Sequence, residues 1–150
     1  MTEQKFYQDI QRFNGMYKLH SNDEPTLLGP ERVRNFHNIL AEEVEEGLDL
    51  AQKYEQLTAA KGSDLNRDEA LEVLTELSDW LGDIVVYCAS EARRWGLPLG
   101  RILDVIMESN FSKLGADGQP IYDERGKVMK GPSYWKPEPR ISALLGELKK

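Results

Sequence analysis

Residues 30–61, PERVRNFHNILAEEVEEGLDLAQKYEQLTAAK, and residues 66–96, NRDEALEVLTELSDWLGDIVVYCASEARRWG, decide the fold. Apolar side chains recur at helical spacing in both. The first carries Val33, Phe36, Ile39, Leu40, Val44, Leu48, Ala51 and Tyr54; the second Leu71, Leu74, Leu77, Leu81, Ile84, Val85 and Cys88. Pro30 suits a first helical turn, and the helix it opens ends near Lys61-Gly62. Asn66-Arg67-Asp68-Glu69 reads as a capping box, and the second helix stops near Gly96. The short connection makes the two helices neighbours.

Outward from this pair, Phe6, Ile10 and Phe13, with Tyr7 and Tyr17, predict an amphipathic helix starting after Thr2. His20 to Gly29 reads as a loop. Pro98 opens a further helix through Ile102, Val105 and Ile106 to about Lys113. The character then changes. Asp117-Gly118, Pro120-Ile121-Tyr122 and Glu124-Arg125-Gly126-Lys127-Val128-Met129 predict a β-hairpin, and Pro132, Pro137 and Pro139 lead into a short helix around Leu144-Leu145. The expectation is a single all-α domain over 1–150, a four-helix antiparallel bundle over 1–114 with a hairpin-containing arm over 115–150.

A chain of 150 residues has the length to bury a core. No apolar run approaches the ~20 residues that span a bilayer, and the first residues lack a signal-peptide pattern. One cysteine, Cys88, excludes an internal disulfide and fits a packed thiol in a reducing, cytoplasmic setting. The net charge is −7, with the acidic excess in residues 1–100 and a small basic excess beyond. That balance argues against sequence-independent nucleic-acid binding. A basic tail on an acidic body suits a phosphate chain bridged to carboxylates by metal.

Glu42, Glu43 and Glu46 share one arc of their helix at about 100° per residue. Glu76, Asp79 and Asp83 form an i, i+3, i+7 stripe on the next. Two unit charges ~4 Å apart repel by ~4 kcal/mol even at an effective dielectric near 20, so carboxylates gathered near a core need a cation. Histidines at Glu-x-x-His spacing are absent; the chain has only His20 and His37, the latter read as an ordinary, partly buried side chain. Oxygen-only ligation points to Mg²⁺ or Mn²⁺, and Mg²⁺ commonly shares its shell with substrate phosphates. Glu45 and Asp49 read as solvent-facing.

The pattern Glu42-Glu43-x-x-Glu46 … Glu76-x-x-Asp79 resembles the signature of the all-α nucleoside triphosphate pyrophosphohydrolases, the MazG-like superfamily. Ser109-Asn110-Phe111-Ser112-Lys113-Leu114, Asp117-Gly118 and Gly126-Lys127-Val128-Met129-Lys130-Gly131-Pro132-Ser133-Tyr134 resemble the tail of its phosphoribosyl-ATP pyrophosphohydrolase-like branch. The resemblance covers roughly residues 30–137 and extends to Phe13-Asn14-x-Met16-Tyr17.

It implies cleavage between α- and β-phosphates, with metal held by Glu42, Glu43, Glu46, Glu76 and Asp79. Asp83 is an addition to that motif, one turn past Asp79, where it could be an extra ligand or a partner to one. Glu43 or Glu46 would activate the water. Asn110 and Lys113, then Lys127 and Lys130, would meet the nucleotide. A homodimer or homotetramer, with sites completed across subunits, is also implied. The alternatives are a phosphoribosyl-ATP pyrophosphohydrolase and a non-catalytic metal- or nucleotide-binding module.

Overall fold

The computed structural model describes residues 2–61 and 64–148, so Gly62 in the expected end of the long helix lies outside them. Five helices follow in order: α1 (Glu3–Met16), α2 (Pro30–Lys61), α3 (Arg67–Arg94), α4 (Leu99–Phe111) and α5 (Glu138–Leu148). Each begins where local chemistry allows it. The Thr2 hydroxyl accepts from Lys5 N at 3.2 Å, and Pro30 occupies the first position of α2. The expected capping box is complete: Glu69 N donates to Asn66 Oδ1 at 2.9 Å, and Asn66 N donates to Glu69 Oε2 at 3.1 Å. α3 ends at Gly96, whose φ of 68° a glycine adopts without a Cβ penalty.

α3 is the centre of the packing. α2 lies along it antiparallel, α1 packs on its carboxy-terminal half, α4 meets it more briefly, and α5 packs on α4. Three contacts down the α2–α3 seam run in opposite chain order, which fixes the direction: Arg32 to Glu91, the Glu43 carbonyl to Trp80, and Lys53 to Glu72 and Glu76. The loop before α2 closes the carboxy-terminal end of α3. Asn22 N donates to Arg93 O at 3.2 Å, Asn22 Nδ2 to Arg94 O at 2.6 Å, and Thr26 N to Trp95 O at 2.8 Å.

α1 is held to α3 by a polar lock. Asn14 is 0% exposed; its amide donates to Ser90 O at 3.1 Å and to Ser21 Oγ at 3.3 Å, and its Oδ1 accepts from Ser90 Oγ at 2.6 Å. Asn14 sits four residues after buried Ile10, on the same face. Asn14→Ala leaves the Ser90 hydroxyl and carbonyl buried without this partner, so it is expected to cost about 1–3 kcal/mol. Urea melts of the two proteins measure this, and a loss within 0.5 kcal/mol, about that of a surface change, would refute it.

One expectation of the fold is corrected. The arm carries no β-hairpin: among the described residues there is no strand, only a single antiparallel bridge between Tyr122 and Val128. The Asp123 carboxylate accepts from Arg125 N and Lys127 N at 2.9 and 2.8 Å, which winds the segment into a turn. Pairing reaches Met129 N to Ile121 O at 2.7 Å and stops, because Pro120 has no N–H and Gly131 N is taken by Lys113 O at 2.9 Å. The all-α body is present, and its core is small. Among the described residues the buried apolar side chains are Ile10, Val73, Ala89, Ala92 and Leu144.

The physical reason lies in α2 and α3, which each carry two apolar rows. One row faces the partner helix; the other, including Val44 and Leu48 on α2 and Leu74, Leu81 and Val85 on α3, is exposed. The accessible surface is 11156 Å², against about 7,800 Å² from the mass scaling of compact monomers. Cys88 is half-buried rather than fully packed, and burial pushes its thiol up. No helix among the described residues is long and apolar enough to cross a membrane.

Candidate active site

The α2–α3 seam places one glutamate where carboxylates rarely sit. Glu43 is 8% exposed, and its Oε1 is buried with no hydrogen-bond partner. Burial, then the charges of Glu46, Asp83 and Asp79, push its carboxyl above the usual carboxylate range. Glu46 follows Glu43 by three residues on α2, while Asp79 and Asp83 approach from α3. The two helices thus bring three further carboxylates within electrostatic reach of Glu43 along one stretch of seam.

Trp80 sets the seam's spacing at this point. Its indole N–H donates to the Glu43 carbonyl oxygen at 2.7 Å. Its ring lies over Gly47, where any Cβ would fall inside the contact distance of the ring atoms. Trp80 is therefore a spacer that lets α2 and α3 approach beside Glu43.

The other expected ligands stand differently. Glu42 is exposed, on the side of α2 turned from the seam's buried line. Glu76 is exposed and paired, with Glu72, to the Lys53 ammonium, which those two hydrogen bonds push up. Glu45 and Asp49 face solvent. His37 is exposed rather than partly buried, with Nδ1 3.3 Å from Asn38 Oδ1. Among the described residues no three acidic, histidine or cysteine side chains already form a set able to hold a metal ion. The donors are near each other but not converged.

The expected phosphate- and base-contacting residues lie elsewhere in the chain. Asn110 is exposed on the last turn of α4, and Lys113 follows in the turn after it. Lys127 and Lys130 are exposed on the arm; the Lys130 ammonium lies 5.0 Å from the centroid of the Tyr134 ring. No hydrogen bond or ion pair among the described residues joins these four to the acidic seam. The arm instead folds back on its own chain. Ser109 Oγ donates to Trp135 O at 2.8 Å, Trp135 N donates to Ser112 Oγ at 3.2 Å, and the Arg140 guanidinium stacks on the Trp135 ring at 3.7 Å.

Beyond Asp83 the seam carries residues that sequence reasoning passed over. Glu91, 8% exposed, accepts from Arg32 Nε at 3.1 and 3.0 Å, from Arg32 Nη2 at 2.5 Å and from Trp95 Nε1 at 2.7 Å. Their only signal in sequence is position: Arg32, Phe36, Ile39 and Glu43 recur on one face of α2, as do Asp83, Tyr87 and Glu91 on α3.

No family model matches the chain, and no curated protein sequence does. Among solved structures the chain is similar to a protein of Exiguobacterium sp. 255-15, assigned provisionally as an NTP pyrophosphohydrolase. The two are 26% identical, the match covers 96% of each chain, and the TM-score is 0.49.

Proposed function

We propose that this protein is a Mg²⁺-dependent nucleotide pyrophosphohydrolase, converting a nucleoside triphosphate to the monophosphate and pyrophosphate. One observation carries the reading: a buried carboxylate, Glu43, with an unpartnered oxygen beside three further carboxylates. A structural role would have supplied that oxygen with a donor. An all-oxygen donor set of this charge suits Mg²⁺ or Mn²⁺. Glu43, Glu46 and Asp79 are the central donors, Asp83 borders them, and Glu76 joins once released from Lys53, with Glu42 on the outer side.

A divalent cation held there supplies neutralising charge for phosphate oxygens and a more acidic bound water. The side chains do the rest. The free Glu43 Oε1 accepts the proton of the attacking water, and Glu46 orients that water toward phosphorus. The new bond forms between water oxygen and α-phosphorus, the bond from α-phosphorus to the α,β-bridging oxygen breaks, and pyrophosphate leaves with that oxygen.

Assembly belongs to the same reading. The exposed apolar rows of α2 and α3, and an excess of roughly 3,400 Å² over a compact monomer, match what a homodimer or homotetramer covers. A second copy would also supply Asn110, Lys113, Lys127 and Lys130, which among the described residues make no hydrogen bond or ion pair to the seam of their own chain.

The test is a panel of NTPs, dNTPs and phosphoribosyl-ATP with Mg²⁺, scored for monophosphate and pyrophosphate, alongside mass by light scattering. Pyrophosphate release from at least one nucleotide, abolished by EDTA, in a particle of two or four chains is expected. No release from any member, with Mg²⁺ still bound, refutes catalysis and leaves a metal-binding module. A monomeric mass refutes the assembly.

A further inference from the structure

Immediately past Asp83, α1, α2 and α3 enclose a cavity of about 380 Å³. Its aromatic lining comes from all three helices: Phe13 of α1, Phe36 of α2 and Tyr87 of α3. Phe13 is braced by Tyr17, the two ring centroids lying 4.8 Å apart. Leu19, Ile39 and Val86 complete the apolar wall.

The polar groups of this cavity divide into used and free. Glu91 is saturated by Arg32 and Trp95, and Ser90 Oγ is committed to Asn14. Two charged groups remain. Asp83, at the mouth, lines the cavity and also adds its charge to Glu43. Arg94, at the Glu91 end, lines it too, and its Nε is buried with no acceptor. A ligand that fits has flat apolar faces, an acceptor on its distal edge for Arg94, and hydroxyls near Asp83. A phosphate tail has none of the flat surface, and an aliphatic chain has neither polar edge.

We infer that this cavity receives the nucleobase of the substrate, stacked among Phe13, Phe36 and Tyr87, with a base acceptor on Arg94 and the ribose at Asp83. The inference rests on the pyrophosphohydrolase reading and extends it. The phosphates then run from Asp83 toward Glu43 and Glu46, so base site and acidic site form one line along the seam. It also assigns specificity to the chain's own helices rather than to the arm: Arg94 selects bases presenting a carbonyl or ring nitrogen at that edge.

Calorimetry with Mg²⁺ separates the two sites, using a panel of α,β-methylene nucleoside triphosphates and inorganic tripolyphosphate. The parent should bind at least one nucleotide analogue about tenfold or more tighter than tripolyphosphate. Tyr87→Leu, which keeps apolar bulk without a flat ring, should lose about tenfold on that analogue and leave tripolyphosphate unchanged. Phe36→Leu should repeat the pattern, with circular dichroism confirming the helices of both variants. Equal affinity of the parent for nucleotide and tripolyphosphate overturns the cavity assignment and leaves the acidic site standing. So does a variant that loses nothing, or loses both ligands alike. Binding of neither ligand by the parent overturns the pyrophosphohydrolase reading and the cavity assignment together.

Discussion

Glu43→Gln should abolish pyrophosphate release, by at least about a hundredfold, and yet melt at a higher temperature than the parent in EDTA. The two effects share a cause. Glu43 is buried, one of its oxygens has no donor, and Glu46, Asp83 and Asp79 add repulsion. Glutamine keeps the shape, removes the charge, and gives those neighbours an amide donor. On the proposed reading, the burial that penalises the Glu43 carboxylate is what would make it a strong cation ligand. Mg²⁺ should therefore raise the melting temperature of the parent by mass action and leave the variant nearly unmoved.

The sign with pH follows from the raised carboxyl. A carboxyl with a higher value in the folded state favours folding when protonated. That contribution is present below the ordinary carboxylate value and is lost as pH rises through the folded one. The stability gap between Glu43→Gln and the parent should therefore shrink on acidification. Paired thermal melts across pH, with EDTA and with Mg²⁺, measure all of this. A variant that melts below the parent in EDTA shows that Glu43 is satisfied in the empty fold and refutes the site's central observation.

What the sequence shows of this arrangement follows the range of each interaction. Helix ends are written locally, so Pro30, the Asn66–Glu69 box and Gly96 are legible from neighbours three residues away. The antiparallel α2–α3 pair follows from their short connection. Which glutamate is buried is not local. Glu42 and Glu43 differ by about 100° on the helix, and the choice falls to Trp80, thirty-seven residues from Glu43, because its ring needs the gap at Gly47. Glu76 looks equivalent to Asp79 in the stripe, but Lys53, twenty-three residues away, holds it. Periodicity counts apolar positions without saying whether a row meets its own chain, which is why Val44, Leu48, Leu81 and Val85 read as core and lie exposed. Asn14 stands in the Phe13-Asn14-x-Met16-Tyr17 segment, but its buried role was not legible for the complementary reason: a polar residue mid-helix ordinarily faces water, and it is Ser90 on α3, with Ser21, that satisfies it.

Arg32→Ala should be the most destabilising single change along the seam, costing about 3–5 kcal/mol and lowering the melting temperature by about 6–20 °C in a chain of this size. Arg32 and Glu91 side chains are 18% and 10% exposed, so removing the guanidinium leaves a buried carboxylate with the Trp95 N–H and the nearby Arg94 charge in place of its ion-pair partner. Burial by itself would raise the Glu91 carboxyl. The hydrogen bonds of Arg32 and Trp95 outweigh it and hold the carboxyl below its ordinary range. Its stabilisation is then full above the ordinary carboxylate value and lost as pH falls through the lower folded one. In Arg32→Ala only the Trp95 hydrogen bond and the Arg94 charge still oppose burial, so Glu91 takes up a proton more readily and the gap from the parent narrows toward acid, where the parent's ion pair is failing. Arg32→Met combined with Glu91→Leu removes both charges and should recover much of the loss, because the cost lies in the stranded charge rather than in the missing pair. Urea melts of the parent, the single and the double variant across pH read each step. A loss under about 1 kcal/mol for Arg32→Ala would class the pair with exposed surface bridges and leave the Glu91 end of the seam, with its cavity wall, without the anchor assigned to it.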